Sequence, residues 1–171
     1  MSGFPYTLPY KRLDLRKLPH LYRPGKGEQG VLMVEPYKSE LLPNWKFKDP
    51  QSARKSSQRL RIQFDEYLEQ GDFIGADMAR KFIQMGFTRS RRYANHKGGR
   101  KYAVKEDGTR GEQLPRSDVE DPVKAESAQI FKNVLEEIKV DQKYAQLRTE
   151  FEKKYANTPI PIFKDEQNPV K

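Results

Sequence analysis

Apolar residues follow no helical rhythm through the first forty-eight positions and then fall into one at Asp49. Ala53, Leu60, Phe64, Tyr67 and Leu68 share one helical face, while Arg54, Lys55, Arg59 and Arg61 lie elsewhere on the wheel. Asp49-Pro50 supplies an N-cap acceptor followed by a proline where a missing N–H costs nothing, so a helix is predicted from there to about Gln70, stopped by Gly71. Asp72 is placed to cap a second helix from Phe73 to Met85, with Ile74, Met78, Phe82 and Met85 as its apolar stripe and Gly86 as its end. So short a connection predicts an antiparallel helical hairpin.

Beyond Gly86, Thr88 can cap one or two further turns reaching Ala94, and the paired glycines Gly98-Gly99 predict a loop through Tyr102. Positions 106–120 are polar and turn-forming, which predicts a mobile segment. Asp121-Pro122 repeats the cap-plus-proline signal and opens a helix to about Lys139 carrying Ile130, Phe131, Val134, Leu135 and Ile138. At Val140-Asp141 the phase shifts, and Asp141 caps a last helix whose stripe is Tyr144, Leu147, Phe151 and Tyr155. Pro159, Pro161 and Pro169 make the remainder a non-helical tail.

The first forty-eight residues are rich in Pro and Tyr, and Gly25, Gly27 and Gly30 interrupt them. Val31 to Val34 is a short apolar run that fits one brief strand or an extended segment laid on a core. Trp45 and Phe47, alternating with Lys46 and Lys48, are expected to pin this arm to the helices. The fold class is therefore mainly α: a helical hairpin plus two C-terminal helices, an extended N-terminal arm, and one short strand or hairpin. The expected organisation is an arm over 1–48, a helical domain over 49–156 with a basic loop at 87–105 and a mobile segment at 106–120, and a tail over 157–171. Leu60, Phe64, Phe82, Leu135 and Phe151 are the expected core.

Composition narrows the chemistry. With 35% hydrophobic and 33% charged residues over 171 positions, the core must be modest. The absence of cysteine excludes disulfides, thiol catalysis and thiolate metal sites, and points to a reducing compartment. No apolar run approaches the ~20 residues that span a bilayer, and the Met-Ser-Gly-Phe-Pro start lacks a secretory pattern. The chain is expected to stay out of membranes and to reside in the cytoplasm, with the nucleus as the alternative.

The net charge of +9 is unevenly placed. Nine basic residues and no acidic one occupy the 26 positions from Arg80 to Lys105, while Ile62 to Ala79 carries five acids and no base. A merely solubilising surface mixes signs, so this segregation points to a polyanion. Arg89, Arg91, Arg92, Lys97, Arg100 and Lys101 are candidate phosphate contacts, with Tyr93 and Tyr102 as stacking faces and His96 as a further hydrogen-bonding or stacking group. The competing reading is a solvated face, or arginines paired with carboxylates of the C-terminal helices. Arg23 and Lys26 among three glycines suggest an anion cradle less well than a plain connector, because no helix follows. His20 and His96 lack the spacing of metal ligands, so no metal site, cofactor or catalytic residue is assigned.

Three strings, Gly27 to Pro43 (GEQGVLMVEPYKSELLP), Gly71 to Arg89 (GDFIGADMARKFIQMGFTR) and Arg91 to Tyr102 (RRYANHKGGRKY), carry a resemblance. Over Leu21 to Tyr155 the chain resembles a family of small cytoplasmic proteins classed as a domain of unknown function, which implies a shared fold and no activity. Function therefore rests on the residues. The leading reading is a nucleic-acid-binding protein for RNA or DNA backbone. The alternatives are a small enzyme acting on a phosphorylated or nucleotide substrate, with His96 and Asp77 as proton-transfer candidates, and a structural subunit with ribonucleoprotein partners.

Overall fold

A computed structural model describes residues 3–163. Its elements are α1 (Tyr37–Leu41), α2 (Pro50–Glu69), α3 (Phe73–Asn95), a two-stranded antiparallel sheet of β1 (Tyr102–Val104) and β2 (Arg110–Gln113), α4 (Pro122–Lys139) and α5 (Gln142–Tyr155), with single 3-10 turns in the arm and after α3. The molecule is mainly helical with one small hairpin, as the periodicity predicts. Among the described residues no helix is long and apolar enough to cross a membrane.

All four aspartate caps form. Asp49 accepts the N–H of Ser52 at 2.7 Å, Asp72 that of Gly75 at 3.0 Å, Asp121 that of Val123 at 2.9 Å and Asp141 that of Tyr144 at 2.9 Å. Each fixes where a helix starts, and three of the predicted helices have their predicted ends within a residue. The surface ion pairs Arg54–Glu126 and Arg61–Glu137 step along α2 and α4 in the same direction, so these two helices run parallel and touch, and α3 packs antiparallel against both. α5 then packs over the N-terminal half of α3 through Phe73, which stacks on Tyr144 at 5.8 Å and meets Phe151 at 4.9 Å.

The second helix departs from its predicted length. It does not stop at Gly86 but continues to Asn95, because Gly86 serves packing and not termination. A Cβ built there would lie 2.5 Å from the Phe131 ring of α4, and one on Gly75 would lie 2.3 Å from the Tyr67 ring of α2. Both glycines let an aromatic ring rest on the α3 backbone. Every residue from Phe73 to Ile83 is buried, so α3 is the spine of the fold. Thr88 accordingly caps nothing; its hydroxyl donates to Glu28 of the arm at 2.9 Å.

Two further expectations are corrected. Val31 to Val34 forms turns instead of a strand, with Val31 and Val34 buried and Leu32 exposed, since Gly30 holds a left-handed φ of 76° and, among the described residues, no strand is there to pair with. The strands arise where a loop and a mobile segment were expected. Tyr102 pairs with Gln113 and Val104 with Arg110, joined by a turn in which Asp107 accepts from Thr109. Local turn chemistry built this hairpin, and its weak alternation hid it.

The arm is docked throughout. Leu15, Leu21, Tyr22, Val34 and Leu41 are fully or almost fully buried, and Trp45 meets Phe47 at 4.8 Å and Phe82 at 6.2 Å as an anchor to α3. Arg23, 2% exposed, donates to the carbonyls of His20, Tyr22 and Thr158, so it ties chain segments and cradles no anion. The tail is non-helical from 157 to 163; Pro169 lies outside the described residues.

The predicted core residues Leu60, Phe64, Phe82, Leu135 and Phe151 are all buried. Phe82→Ala should therefore cost about 3 to 5 kcal/mol in urea unfolding through the cavity it leaves. Gly86→Ala sets two effects against each other. Helix propensity favours alanine by roughly 1 kcal/mol, while overpacking against Phe131 costs about 1 to 3 kcal/mol. A lower unfolding midpoint is expected, and a raised one would show that Phe131 yields.

Candidate nucleic-acid interface

The acid-free stretch divides into two groups with opposite fates. Its first two cations turn inward. Arg80 donates to Asp77 at 2.8 Å, to the Gly27 carbonyl at 2.7 Å and to Gln84 at 2.9 Å. Lys81, with no exposed surface, donates to the Gln29 carbonyl at 2.6 Å and lies 5.2 Å and 5.1 Å from the ring centres of Phe4 and Tyr22. Both serve the arm, not a ligand.

Their common partner is Asp77, itself fully buried. The hydroxyls of Tyr22 and Tyr144 donate to its two oxygens, so arm, α3 and α5 converge on one carboxylate. Burial by itself would raise the Asp77 pKa, but Arg80, Lys81 and the two tyrosine hydrogen bonds outweigh it and hold the carboxyl well below its usual range. The same burial, with the Asp77 charge, pushes the Tyr22 and Tyr144 hydroxyls up. Burial pushes the Lys81 ammonium down from 10.5 to about 8 against the pull of Asp77. Asp77 is thus saturated by donors and sealed from solvent. It also lies about 28 Å along the α3 axis from His96, so these two groups cannot act on one substrate.

The remaining cations emerge at the far end of α3. Arg89, Arg91, Arg92 and Tyr93 sit on helix, not loop, and His96 follows as its C-cap, donating its N–H to the Arg92 carbonyl at 2.9 Å. His96 is only 6% exposed, so it is no surface contact; the chain folds back over it, with Ser117 and Asp121 donating to the carbonyls of Asn95 and Ala94. Arg91 is engaged by Glu120 and by Asn95 at 3.1 Å. Ser90 Oγ, Arg92 Nε and His96 Nδ1 are buried with no hydrogen-bond partner among the described residues. Each unmade bond costs about 1 to 3 kcal/mol, so this end is less optimised for stability than the Asp77 end.

Lys97, Arg100, Lys101 and Lys105 are exposed. Among the described residues neither these nor Arg89, Arg92, Arg110 and Arg116 form an ion pair. Gly98 and Gly99 turn the chain with φ of 67° and 72°, and a Cβ on Gly99 would lie 2.8 Å from the Tyr93 ring. Tyr93, 38% exposed, is backed by Phe47 at 6.0 Å and by the Lys124 ammonium at 5.8 Å. Tyr102 carries the Arg110 guanidinium 4.0 Å from its ring centre. The structure therefore brings Lys97, Arg100, Lys101 and the two tyrosines to one end, adds Arg110 and Lys124, and removes His96. Sequence alone does not point to Arg110, whose strand lies in a polar, turn-forming stretch that predicts mobility, or to Lys124, which lies on a separate helix.

The family model described as a domain of unknown function (DUF4385) matches residues 5–154. The chain belongs to this family. No curated protein and no solved structure matches it. Membership in DUF4385 explains the three recognised strings and assigns no activity. Those strings hold Asp77 with Arg80 and Lys81, the Tyr37–Asp72 hydrogen bonds at 2.8 and 2.9 Å, and the basic turn after α3, while Tyr22 and Tyr144 lie outside them.

The Lys81 site yields a pH prediction. Its folded pKa lies below its unfolded one, so between about pH 8 and 10.5 the unfolded chain binds more protons and stability rises with pH. Lys81→Met lacks this contribution. Wild-type stability measured by urea from pH 7 to 10 should gain on the variant by up to about 1.4 kcal/mol per pH unit above pH 8. Parallel curves would mean that Lys81 stays charged.

Proposed function

We propose that this protein binds the phosphate backbone of a nucleic acid at the C-terminal end of α3. Lys97, Arg100 and Lys101 take the phosphates, with Arg110 at the edge of the hairpin, and Tyr93 offers a face to a base. One observation carries the reading: from position 97 to 105 this end exposes Lys97, Arg100, Lys101 and Lys105 with no acidic residue between them and no carboxylate partner among the described residues. Unpaired cations held beside an aromatic face suit a polyanion whose bases stack. A structural subunit of a ribonucleoprotein would use the same surface, and sequence-independent binding with dependence on a partner protein would mark that case.

The enzyme alternative has no comparable support, because its two candidate groups are separated along α3 and one is sealed in the core.

Binding of labelled RNA, single-stranded DNA and duplex DNA across a salt series tests the proposal. Lys97→Gln, Arg100→Gln and Lys101→Gln combined should flatten the slope of log affinity against log salt by roughly 2 to 3 units, at 0.7 to 0.9 per phosphate lost. Thermal stability should hardly change, since all three side chains are exposed. A triple variant that binds like wild type would place the site elsewhere.

A further inference from the structure

A second basic surface continues from this end along α2. The arm residues Pro43 to Lys46 and the outer face of α2 from Ser52 to Ile62 enclose a groove of about 610 Å³. Lys46, Lys55 and Arg59 line it and no acidic residue does. All three are exposed and, among the described residues, make no ion pair. The groove wall is fixed by hydrogen bonds: the Ser56 hydroxyl accepts the Lys46 N–H at 2.9 Å and donates to the Asn44 carbonyl at 2.7 Å, and the Asn44 amide donates to Gln63 at 3.1 Å. Eleven residues of helix, ten rises of about 1.5 Å, make this wall about 15 Å long.

Contacts join the groove to the α3 end. Trp45 packs on Phe47, Phe47 on Tyr93, and the Lys124 ammonium sits by Tyr93 while donating to the Lys48 carbonyl. The cations therefore form one track, from Arg59 past Lys46 and Lys48 to Lys124 and the turn at Gly99. The carboxylates beside it are already engaged, Asp49 by the α2 amides and Glu126 by Arg54. Ile62, 47% exposed at the groove, and Tyr93 at the junction add apolar surface between the charges.

That mixture selects among polyanions. A duplex turns its phosphates outward and hides its base faces, so it uses cations and leaves exposed Ile and Tyr surface wet. A single strand presents phosphates and unstacked bases together, and a groove walled on both sides admits one backbone. We infer that a single-stranded nucleic acid bound at the α3 end continues into this groove, its phosphates on Lys46, Lys55 and Arg59 and a base stacked on Tyr93 where the two stretches meet. The inference rests on the nucleic-acid reading above and adds the path and the strandedness.

Fluorescence anisotropy with oligothymidines of roughly 4 and 16 nucleotides, the range of small single-strand sites, tests it on the full chain. Wild type should bind the longer strand more tightly and with a steeper salt slope. Lys55→Gln with Arg59→Gln should leave the short strand unaffected and flatten the long-strand slope by about 1.4, two phosphates at 0.7 each. Lys97→Gln, Arg100→Gln and Lys101→Gln should weaken both lengths. If the groove variant binds the long strand like wild type, or if a duplex of equal length competes better than the single strand, the inference is overturned while the α3 end keeps its role. If wild type binds no oligonucleotide even at low salt, both fall together.

Discussion

The Asp77 carboxylate is the point on which the rest of the fold depends. It is charged and fully buried, a state that is tolerated only when every lone pair is met. Tyr22 from the arm, Arg80 from its own helix and Tyr144 from α5 meet them, with Lys81 at 4.0 Å. Removing any one donor leaves a buried charge short of partners, so the arm and α5 are coupled through α3 as well as through the Tyr22–Phe151 ring contact. The arm is rich in proline and has little secondary structure to hold it. Arg80 and Lys81 compensate by taking the carbonyls of Gly27 and Gln29, backbone groups for which an irregular segment has no ladder partner.

A spine so occupied at one end has its freedom at the other. α3 is packed on all sides through Ile83 and then runs on past Gly86, its last turns carrying Arg91, paired with Glu120, and Arg89 and Arg92, which form no ion pair among the described residues. Cations at a helix C-terminus are favoured by the macrodipole, which helps the turn with Lys97 to Lys101 tolerate its own charge. The unpartnered Ser90, Arg92 and His96 atoms lie in this same stretch. Stability is concentrated in the half that holds the arm, and the half that faces outward carries local conflicts of the kind that functional sites tolerate.

The charge imbalance along the sequence thus resolves into two places, one inside the fold and one on its surface. Arg80 and Lys81 are structural ions, and Lys97, Arg100 and Lys101 form a surface that the groove beside α2 extends. The aromatic chain Trp45, Phe47 and Tyr93 does double duty, anchoring the arm and bridging the two basic surfaces.

Much of this was legible in the residues. The four Asp caps, the apolar stripes and the core at Phe64, Phe82 and Phe151 follow from local rules, because a cap or a helical face is decided within a few positions. The same rules misplaced the end of α3 and put the short strand at Val31 to Val34, whereas the hairpin forms at Tyr102 to Gln113. Gly86 has the local signature of a stop, and only the Phe131 ring, far away in sequence, makes it an interior packing position. The hairpin has little alternation, and its pairing is a cross-strand property. Above all, sequence counts charges but does not say which are inside. Whether a Lys is a ligand contact or a buried strut depends on what lies opposite it, and for Lys81 that is Asp77, a carbonyl of the arm and two rings, a combination that exists only once the chain has folded.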